Sequence, residues 1–587
     1  MSEMDVEMVD PQAQPQPCGY VTPQSAPLTG QIPNSVGGFT YEVPDIDKLK
    51  RFLCLGTENR YYRANTRHSR FNPSDVRCID RLIQNGRGEE AVACIRDVSI
   101  QGRSCKQDTV LYALATCAKS SNPATKRAAF AAVNDVCRIP TFLFQFIKYC
   151  KEISEGSSGW GRAHRIGISN WYNSFTSDDK DAPNGVNKLA YLVTKYKRRH
   201  GFTHRDVIRL AHLRPKTREI KMVMQYALGK EINSPNDCSI SKFLKGVNEA
   251  HRCNNKEDMC RLIAEHSLAR EHVPNRFLNE IEVWGTLLRV MPFTAMLRNL
   301  GKMSRLGVLD SNDSNSLWVI IVLQRLQQLN DVPLYTRKIH PLTLLIALKH
   351  YERGTGHRGR LHWTPNIHIV NALKEAFESQ TKMMPSTGKS YLMAVSLGRD
   401  MKKKICGSTI KASEAAAAMV LSTVNSEDVD VVLFTDSIED AHTTSIVRGD
   451  NLASISAKIA SKEKERQDLA VPFKWSADRK KKYDVIIVLT DSLTSGGHVH
   501  PVEMLSKYLQ YMAVQDCRII VVAMAVNKYS VASPADINAL DVIGFDLHTP
   551  QIIRDFVNNF EGNPSPQNQD SRSDIRILEE MEHVILY

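Results

Sequence analysis

Residues 194–221 carry the strongest chemical signal in the chain, a dense run of cations. Ten Lys and Arg side chains stand there against two acids, Asp206 and Glu219, so these 28 residues have a net charge of +8. Cations without neighbouring acids are suited to the phosphate oxygens of a polyanion. The candidate contact residues in this run are Lys195, Lys197, Arg198, Arg199, Arg205 and Arg209.

Two spacings in this run predict how its side chains are arranged. Lys195 and Arg199 are four residues apart, so a helix would place both on one face. His204 and His212 are eight apart, and His212 falls in a second amphipathic pattern. A neutral imidazole can donate and accept hydrogen bonds or stack on a base. The alternatives are an ordinary solvated helix face and, for His212, a structural histidine.

A second basic cluster lies nearby in the sequence, between Trp160 and Tyr172. Its cations Arg162 and Arg165 could line the same surface as the first cluster, whereas its aromatic residues favour the core. The whole chain of 587 residues has a net charge of +12, two-thirds of which lies in residues 194–221. The 13 scattered cysteines include no CxxC pair. They therefore indicate buried thiols in a reducing compartment rather than a zinc site.

Between about residues 40 and 385, apolar residues recur with a period of about 3.6, which predicts helix after helix. The predicted helices lie near residues 105–119, 125–137, 141–153, 160–175, 185–200, 203–213, 278–290, 292–301, 315–329, 340–352 and 366–379. Consecutive amphipathic helices with short links favour an α-solenoid of stacked pairs with degenerate repeats.

After residue 385, short β-branched runs alternate with helices. Strands are predicted at residues 390–396, 429–435, 484–490, 518–524 and 541–545, with helices at 411–424, 452–461, 502–512 and 550–560. This order predicts a buried, mostly parallel sheet with helices on both faces. Asp436 and Asp491 follow two of these strands, but they could equally serve as caps or turn acids. No catalytic motif is present, so we expect no enzymatic activity.

The two ends of the chain have a different composition. Residues 1–38 are acidic and rich in Pro and Gln, which predicts a disordered tail, and residues 563–587 form a C-terminal tail. No apolar run approaches the roughly 20 residues that span a bilayer. We therefore expect a soluble intracellular protein without a membrane partner.

Several segments together resemble the TROVE family, the Ro ribonucleoprotein autoantigens. In the helical part they lie at residues 51–56, 86–88, 136–141, 160–163, 193–197, 204–206, 213–215, 297–303 and 340–343. In the α/β part they lie at residues 489–491, 496–501 and 544–546. The likeness covers about residues 39–560, and it is specific when the segments are taken together.

The resemblance implies HEAT-like repeats in residues 39–385 that close into a ring, followed by a von Willebrand factor A-like domain in residues 386–562. It also implies a monomer that binds RNA in small ribonucleoproteins of the cytoplasm, and also of the nucleus, for RNA quality control and stress survival. The implied partners are Y-type noncoding RNA and misfolded small RNAs, such as defective 5S ribosomal RNA precursors, whose single-stranded 3′ end enters the ring. By this resemblance, Lys195 and Arg199 bind misfolded RNA and His212 binds Y RNA.

The chain departs from the family at its metal-ion-dependent site, which has DxSxS after the first strand and a Thr before the fourth. Ser396, Gly398 and Asp400 occupy the DxSxS positions here, and ungapped counting places Gln467 at the Thr. Only Asp491 persists. We therefore expect neither a divalent metal ion nor another cofactor, and a domain that serves as a structural clasp for the ring.

The alternative function is a helical-repeat scaffold that docks acidic protein partners. The charge of residues 194–221 separates the two hypotheses, because a scaffold does not need so many cations without acids beside them.

Overall fold

The computed structural model describes the chain in segments. These are residues 31–33, 39–41, 44–58, 61–63, 71–100, 104, 107–154, 159–176, 185–231, 238–309, 316–334, 340–356, 361–405, 410–438, 442–443, 446–460, 468–490, 499, 501–514, 516–524, 538–546 and 548–558. The chain divides into a small unit up to Pro44 and a large unit from Asp45 onward. In the small unit, β1 (Gln31–Pro33) pairs antiparallel with β2 (Phe39–Tyr41), so a strand lies within the segment that composition predicted to be disordered.

The large unit begins with a long series of helices, as the apolar periodicity predicted. They are α1 Asp45–Leu55, α2 Arg77–Gln84, α3 Gly88–Ile100, α4 Gln107–Lys119, α5 Pro123–Ala131, α6 Val133–Val136, α7 Pro140–Ile153, α8 Arg162–Asn173, α9 Val186–Lys195, α10 His204–Ala211, α11 Arg218–Ala227, α12 Ser239–Arg252, α13 Lys256–His266, α14 Ile281–Val290, α15 Phe293–Arg305, α16 Leu317–Gln327, α17 Leu342–Glu352 and α18 Ile367–Lys382. Successive helices pack on one another, which confirms the helical-repeat prediction.

The strands of the large unit are β3 Tyr61–Arg63, β4 Arg198–Arg199, β5 Phe202–Thr203, β6 Ser390–Ser396, β7 Asp428–Phe434, β8 His442–Thr443, β9 Val485–Thr490, β10 Arg518–Ala523 and β11 Ala539–Ile543. The helices of its C-terminal part are α19 Ala412–Ser426, α20 Leu452–Ala460, α21 Val471–Asp478, α22 Pro501–Met512 and α23 Thr549–Val557. Helix α21 was not predicted, because its eight residues contain a Pro and two aromatic residues rather than a clear apolar stripe.

Seven strands form one sheet in the order β3-β11-β10-β9-β6-β7-β8. All neighbours are parallel except β8, so the prediction of a mostly parallel sheet is confirmed. Alternate residues of β6 point to opposite faces: Met393 and Val395 join the core shared with the helical part, while Leu392 and Ala394 pack with α21 and α22. Helices therefore cover both faces.

Strand β3 comes from the beginning of the chain, between α1 and α2, yet it pairs with β11 at the edge of the sheet. Tyr62 lies opposite Val542 in this parallel pairing. Backbone hydrogen bonds thus join the first helices directly to the last domain, a connection that no local sequence pattern predicted. Within the described residues, no helix is both long and apolar enough to cross a membrane.

Candidate functional site

The basic run contains a short hairpin rather than one continuous helix. Helix α9 ends at Lys195, and Arg199 then pairs with Phe202 across a two-residue turn. Both turn residues have a positive φ, 50° for His200 and 86° for Gly201, as a type I′ turn requires. The predicted helix over residues 185–200 is therefore wrong after Lys195, and so is the single helix face proposed for Lys195 and Arg199.

Lys195 and Arg199 nevertheless meet at one aromatic ring. The Lys195 Nζ lies 5.2 Å from the centroid of the Tyr196 ring, and the Arg199 guanidinium carbon lies 5.8 Å from it. The Lys195 ammonium is also 5.2 Å from the ring of Tyr191. Tyr196 is fully buried and Lys195 is 7% exposed. The ring thus fixes two cations at the edge of the core, where cation–π attraction adds to their positioning.

Around this pair, further cations are exposed. Lys197 and Arg198 are exposed and Arg199 is partly exposed. The Lys197 Nζ lies 3.0 Å from His251 Nε2, and burial together with the charge of Lys197 lowers the pKa of His251. A neutral His251 can accept this hydrogen bond, so it does not cancel the charge of Lys197. We call Lys195, Lys197, Arg198 and Arg199 the hairpin surface.

Asp206, the acid that follows the hairpin most closely in the sequence, takes part in a helix cap. The Thr203 Oγ1 accepts a hydrogen bond from the Asp206 N–H, and an Asp206 carboxylate oxygen accepts from the Thr203 N–H at 3.0 Å and from its hydroxyl at 2.6 Å. This reciprocal capping box starts α10. Asp206 therefore compensates the amino end of α10 and does not pair with a neighbouring cation.

The carboxyl end of α10 presents a second group of basic residues. The prediction that His212 lies within a helix is wrong. His212 has a φ of 50° and caps the carboxyl end of α10, where its N–H donates to the carbonyl groups of Ile208 and Arg209. The Ser169 hydroxyl of α8 donates to the Ala211 carbonyl at 3.4 Å. Arg165 is one turn before Ser169, on the same face of α8.

Asn173 anchors the loop that follows His212. Its side-chain amide donates to the Arg214 carbonyl at 3.1 Å, and its Oδ1 accepts from the Lys216 N–H at 2.9 Å. We call Arg165, Arg209 and His212 the α10 C-terminal surface; all three are exposed. Helix α10, which has eight residues and is about 12 Å long, lies between the hairpin and His212.

The remaining predicted cations extend these surfaces. Arg162 is exposed on the first turn of α8, and Arg205 is exposed one turn before Arg209 on α10. Within the part of the chain that the structure describes, none of these arginines forms an ion pair, nor do Lys197, Arg198 and Arg199. Other cations of the helical part do: Lys256 pairs with Glu282 at 2.6 Å.

The histidines around the run fall into two classes. His204, a candidate contact in the sequence, is buried, with its Nδ1 2.8 Å from the Tyr172 hydroxyl, and burial lowers its pKa to about 3. His272 accepts the Ala269 N–H and lies 3.0 Å from Thr194 Oγ1, and burial lowers its pKa to about 4. His200 and His212 are exposed. Sequence reasoning missed His200, because only the weak turn signal of the following Gly201 marked it.

The carboxyl edge of the sheet offers few ligands for a cation. Ser396 ends β6 fully buried, and its Oγ accepts the N–H of Gly398 at 3.1 Å. Gly398 has no side-chain donor atom, while the side chains of Asp400, Gln467 and Asp491 lie outside the described residues. Because a divalent ion needs several converging oxygens and the side chains at three of the five family positions are not described, the loss of the metal site stays a prediction. Across the described residues, no group of three His, Cys, Asp or Glu could hold a metal.

Comparison with known families and proteins matches both parts of the chain. Residues 32–350 match the TROVE domain, and residues 390–557 match the Ro60 vWA domain. The chain is 30% identical to "RNA-binding protein RO60" of Caenorhabditis elegans, over 90% of each chain. It is 31% identical to the protein of the same name from Deinococcus radiodurans, over 90% of this chain and 95% of that one. The crystal structure of the Deinococcus radiodurans Ro protein superposes with a TM-score of 0.77 at 30% identity, covering 88% of this chain and 99% of the other.

Proposed function

Because this chain belongs to the TROVE-domain family of Ro60 proteins, we propose that it is a non-enzymatic RNA-binding protein. The observation that carries the proposal is the hairpin surface, where the exposed Lys197 and Arg198 and the partly exposed Arg199 form no ion pair within the described residues. Phosphates of RNA supply the missing negative charge, and each phosphate that is neutralised releases condensed counterions. The two relatives above carry RNA binding in their names, which supports the same activity here.

We propose that the two surfaces serve different RNAs. The hairpin surface, through Lys195 and Arg199, would bind misfolded small RNAs that have a single-stranded 3′ end. The α10 C-terminal surface, through His212, would bind Y-type noncoding RNA. The helix α10 between the hairpin and His212 is about 12 Å long. Direct interaction between charges at its two ends is therefore partly screened at physiological salt, where the Debye length is about 8 Å, which supports separate sites.

The cellular role that follows is RNA quality control and stress survival in the cytoplasm, and also in the nucleus, as a monomer bound to RNA. We further propose that the A-like domain works without a metal ion. Its sheet would then serve as a structural clasp, consistent with the backbone pairing of β3 with β11.

The test is RNA affinity as a function of salt for two labelled probes: a blunt hairpin RNA, and the same hairpin with about ten unpaired 3′ nucleotides. The parent protein should lose affinity steeply between about 50 and 200 mM salt. Lys195→Ala/Arg199→Ala should weaken binding of the extended probe about tenfold or more. It should also reduce the slope of log affinity against log salt concentration by about two, one for each lost phosphate contact.

The matched control removes two cations that are already paired. Arg87 pairs with Glu90 and Lys507 with Glu503, and both lie outside the two surfaces. Arg87→Ala/Lys507→Ala should leave the affinity unchanged. If binding is insensitive to salt, or if both double variants behave alike, the proposal fails and the basic surface serves acidic protein partners instead.

A further inference from the structure

Two histidines beside α10 have a left-handed backbone. Among the described residues, five that are not glycine have a positive φ: His200, His212, Ser267, Lys480 and Ala513. Two of the five, His200 and His212, lie in a stretch of 13 residues inside the basic run, and both are exposed. Left-handed backbone is strained for residues with a Cβ and tends to persist at functional sites.

The position of His200 does not require a histidine for folding. It is the first residue of the two-residue turn between β4 and β5, where Asn or Gly adopts a positive φ with less strain. Its imidazole makes no hydrogen bond within the described residues. The strain is therefore not offset by a visible contact of the ring.

The environment of His200 makes it a neutral ring among cations. It directly follows Arg199, and the charges of Lys148 and Glu152 on α7 and Asp108 on α4 act on it. Although the residue is exposed, partial desolvation of the imidazole, together with Lys148, lowers its pKa. A neutral imidazole cannot neutralise a phosphate, but its flat face can stack on a base.

We infer that His200 contacts an unpaired base of the RNA whose phosphates bind to Lys195 and Arg199. This inference rests on the proposed function and deepens it, because it names the part of the RNA that the turn recognises. A base within a duplex has no free face to offer, so the contact requires a single-stranded segment. The cations hold the backbone of that segment, and His200 holds one of its bases.

The test compares His200→Asn with the parent protein on the blunt and extended hairpin probes. Asn keeps the turn but removes the ring, so the unfolding midpoint should stay the same or rise. Affinity for the extended probe should fall roughly fivefold to tenfold, with the salt slope unchanged, because no charge is lost. Affinity for the blunt probe should not change.

A matched control relieves the same kind of strain elsewhere. Ala513 has a φ of 51° after α22, is exposed and lies outside both basic surfaces, so Ala513→Gly should stabilise the fold without changing RNA affinity. If the parent binds and His200→Asn binds equally well, the inference is wrong and the proposed function stands. If the parent binds neither probe in a salt-dependent way, the proposed function itself is overturned. A lower unfolding midpoint with a changed salt slope would mean that His200 only shapes the hairpin, which also refutes the contact.

Discussion

The helical part and the A-like domain use their polar residues in opposite ways. In the helical part, Lys197 and Arg198 on the hairpin and Arg205 and Arg209 on α10 are exposed and form no ion pair within the described residues. At the carboxyl edge of the sheet, the usual ligand position of such folds, Ser396 is buried and its oxygen accepts a hydrogen bond from the chain itself. The comparison teaches that short irregular elements expose cations to solvent, whereas the polar group at the end of β6 is buried and bonded within its own loop.

The largest expected difference between the two parts is in their stability at acidic pH. Within the described residues, burial lowers the pKa of four histidines to about 3 or 4, and all four, His164, His204, His272 and His340, belong to the helical part. Because these folded pKa values lie below the unfolded value of about 6.5, only the unfolded chain takes up protons as the pH falls below that value. Stability is complete above that pH and is lost as pH falls toward the folded values.

At pH 5 each buried imidazole should cost up to about 2 kcal/mol of unfolding free energy. Hydrogen exchange followed by mass spectrometry at pH 7.5 and pH 5 should show α8–α10 losing protection before β6, β9 and β10. Equal loss in both parts would show that these histidines do not set the difference in acid stability.

The second prediction tests whether the two basic surfaces bind RNA separately. Arg209→Ala/His212→Ser should weaken binding of a blunt hairpin RNA about tenfold, because it removes a phosphate contact and an exposed imidazole from the α10 C-terminal surface. Binding of a single-stranded RNA that engages the hairpin surface should change little, because direct interaction between charges at the two ends of α10 is partly screened. Competition titrations with the two RNAs measure this. If the affinities for both RNAs fall in parallel, the two surfaces form a single binding site.

A smaller effect is expected beneath the hairpin surface, at Tyr196. Tyr196→Leu removes the ring that lies 5.2 Å from the Lys195 ammonium and 5.8 Å from the Arg199 guanidinium, so the cations lose about 0.5–1 kcal/mol of positioning energy. RNA affinity should fall about twofold to fivefold without a change in salt slope. Tyr196→Phe keeps the ring and should bind as the parent does. If Phe and Leu weaken binding equally, the ring is not what positions the cations.

The smallest effect should come from magnesium. Adding millimolar MgCl₂ or EDTA should shift the unfolding midpoint by no more than about 1 °C, since Ser396 and Gly398 stand where the family's metal site has an aspartate and a serine. Thermal scans with CaCl₂ as a second cation provide the control. A rise of several degrees with magnesium would show that the edge binds a metal after all, and the contrast between the two parts would disappear.

Sequence periodicity predicted many of the regular elements, because the pattern of buried side chains is a local property, but α1–α3 and α11–α13 lie outside the segments that it marked. The strand β6 has the predicted limits, residues 390–396, since each face of a buried strand must be apolar. Periodicity gave the wrong helix ends where the chain changes direction. The predicted helix at 125–137 is two helices, α5 and α6, and the helix predicted to residue 200 ends at Lys195.

The candidate site was predictable by composition but not by geometry. Charge density marked the run that contains Lys195 and Arg199, and the family resemblance assigned RNA contacts to these two residues and to His212. In the structure Lys195 is 7% exposed, Arg199 is partly exposed and His212 is exposed. Sequence reasoning also favoured His204, which is buried against Tyr172, and passed over His200. A histidine is the same residue type in the core and on the surface, so only the packing around it distinguishes a buried histidine from an exposed one.

The sequence by itself determined the class of fold, the family and the surplus of positive charge, because these depend on residue types and short-range spacing. Tertiary structure alone decided which cations meet at Tyr196 and which histidines are exposed. It also decided that β3 completes the sheet of the last domain from some 480 residues away. The physical reason is that burial and pairing between distant segments depend on the packing of the whole chain, which no local window contains.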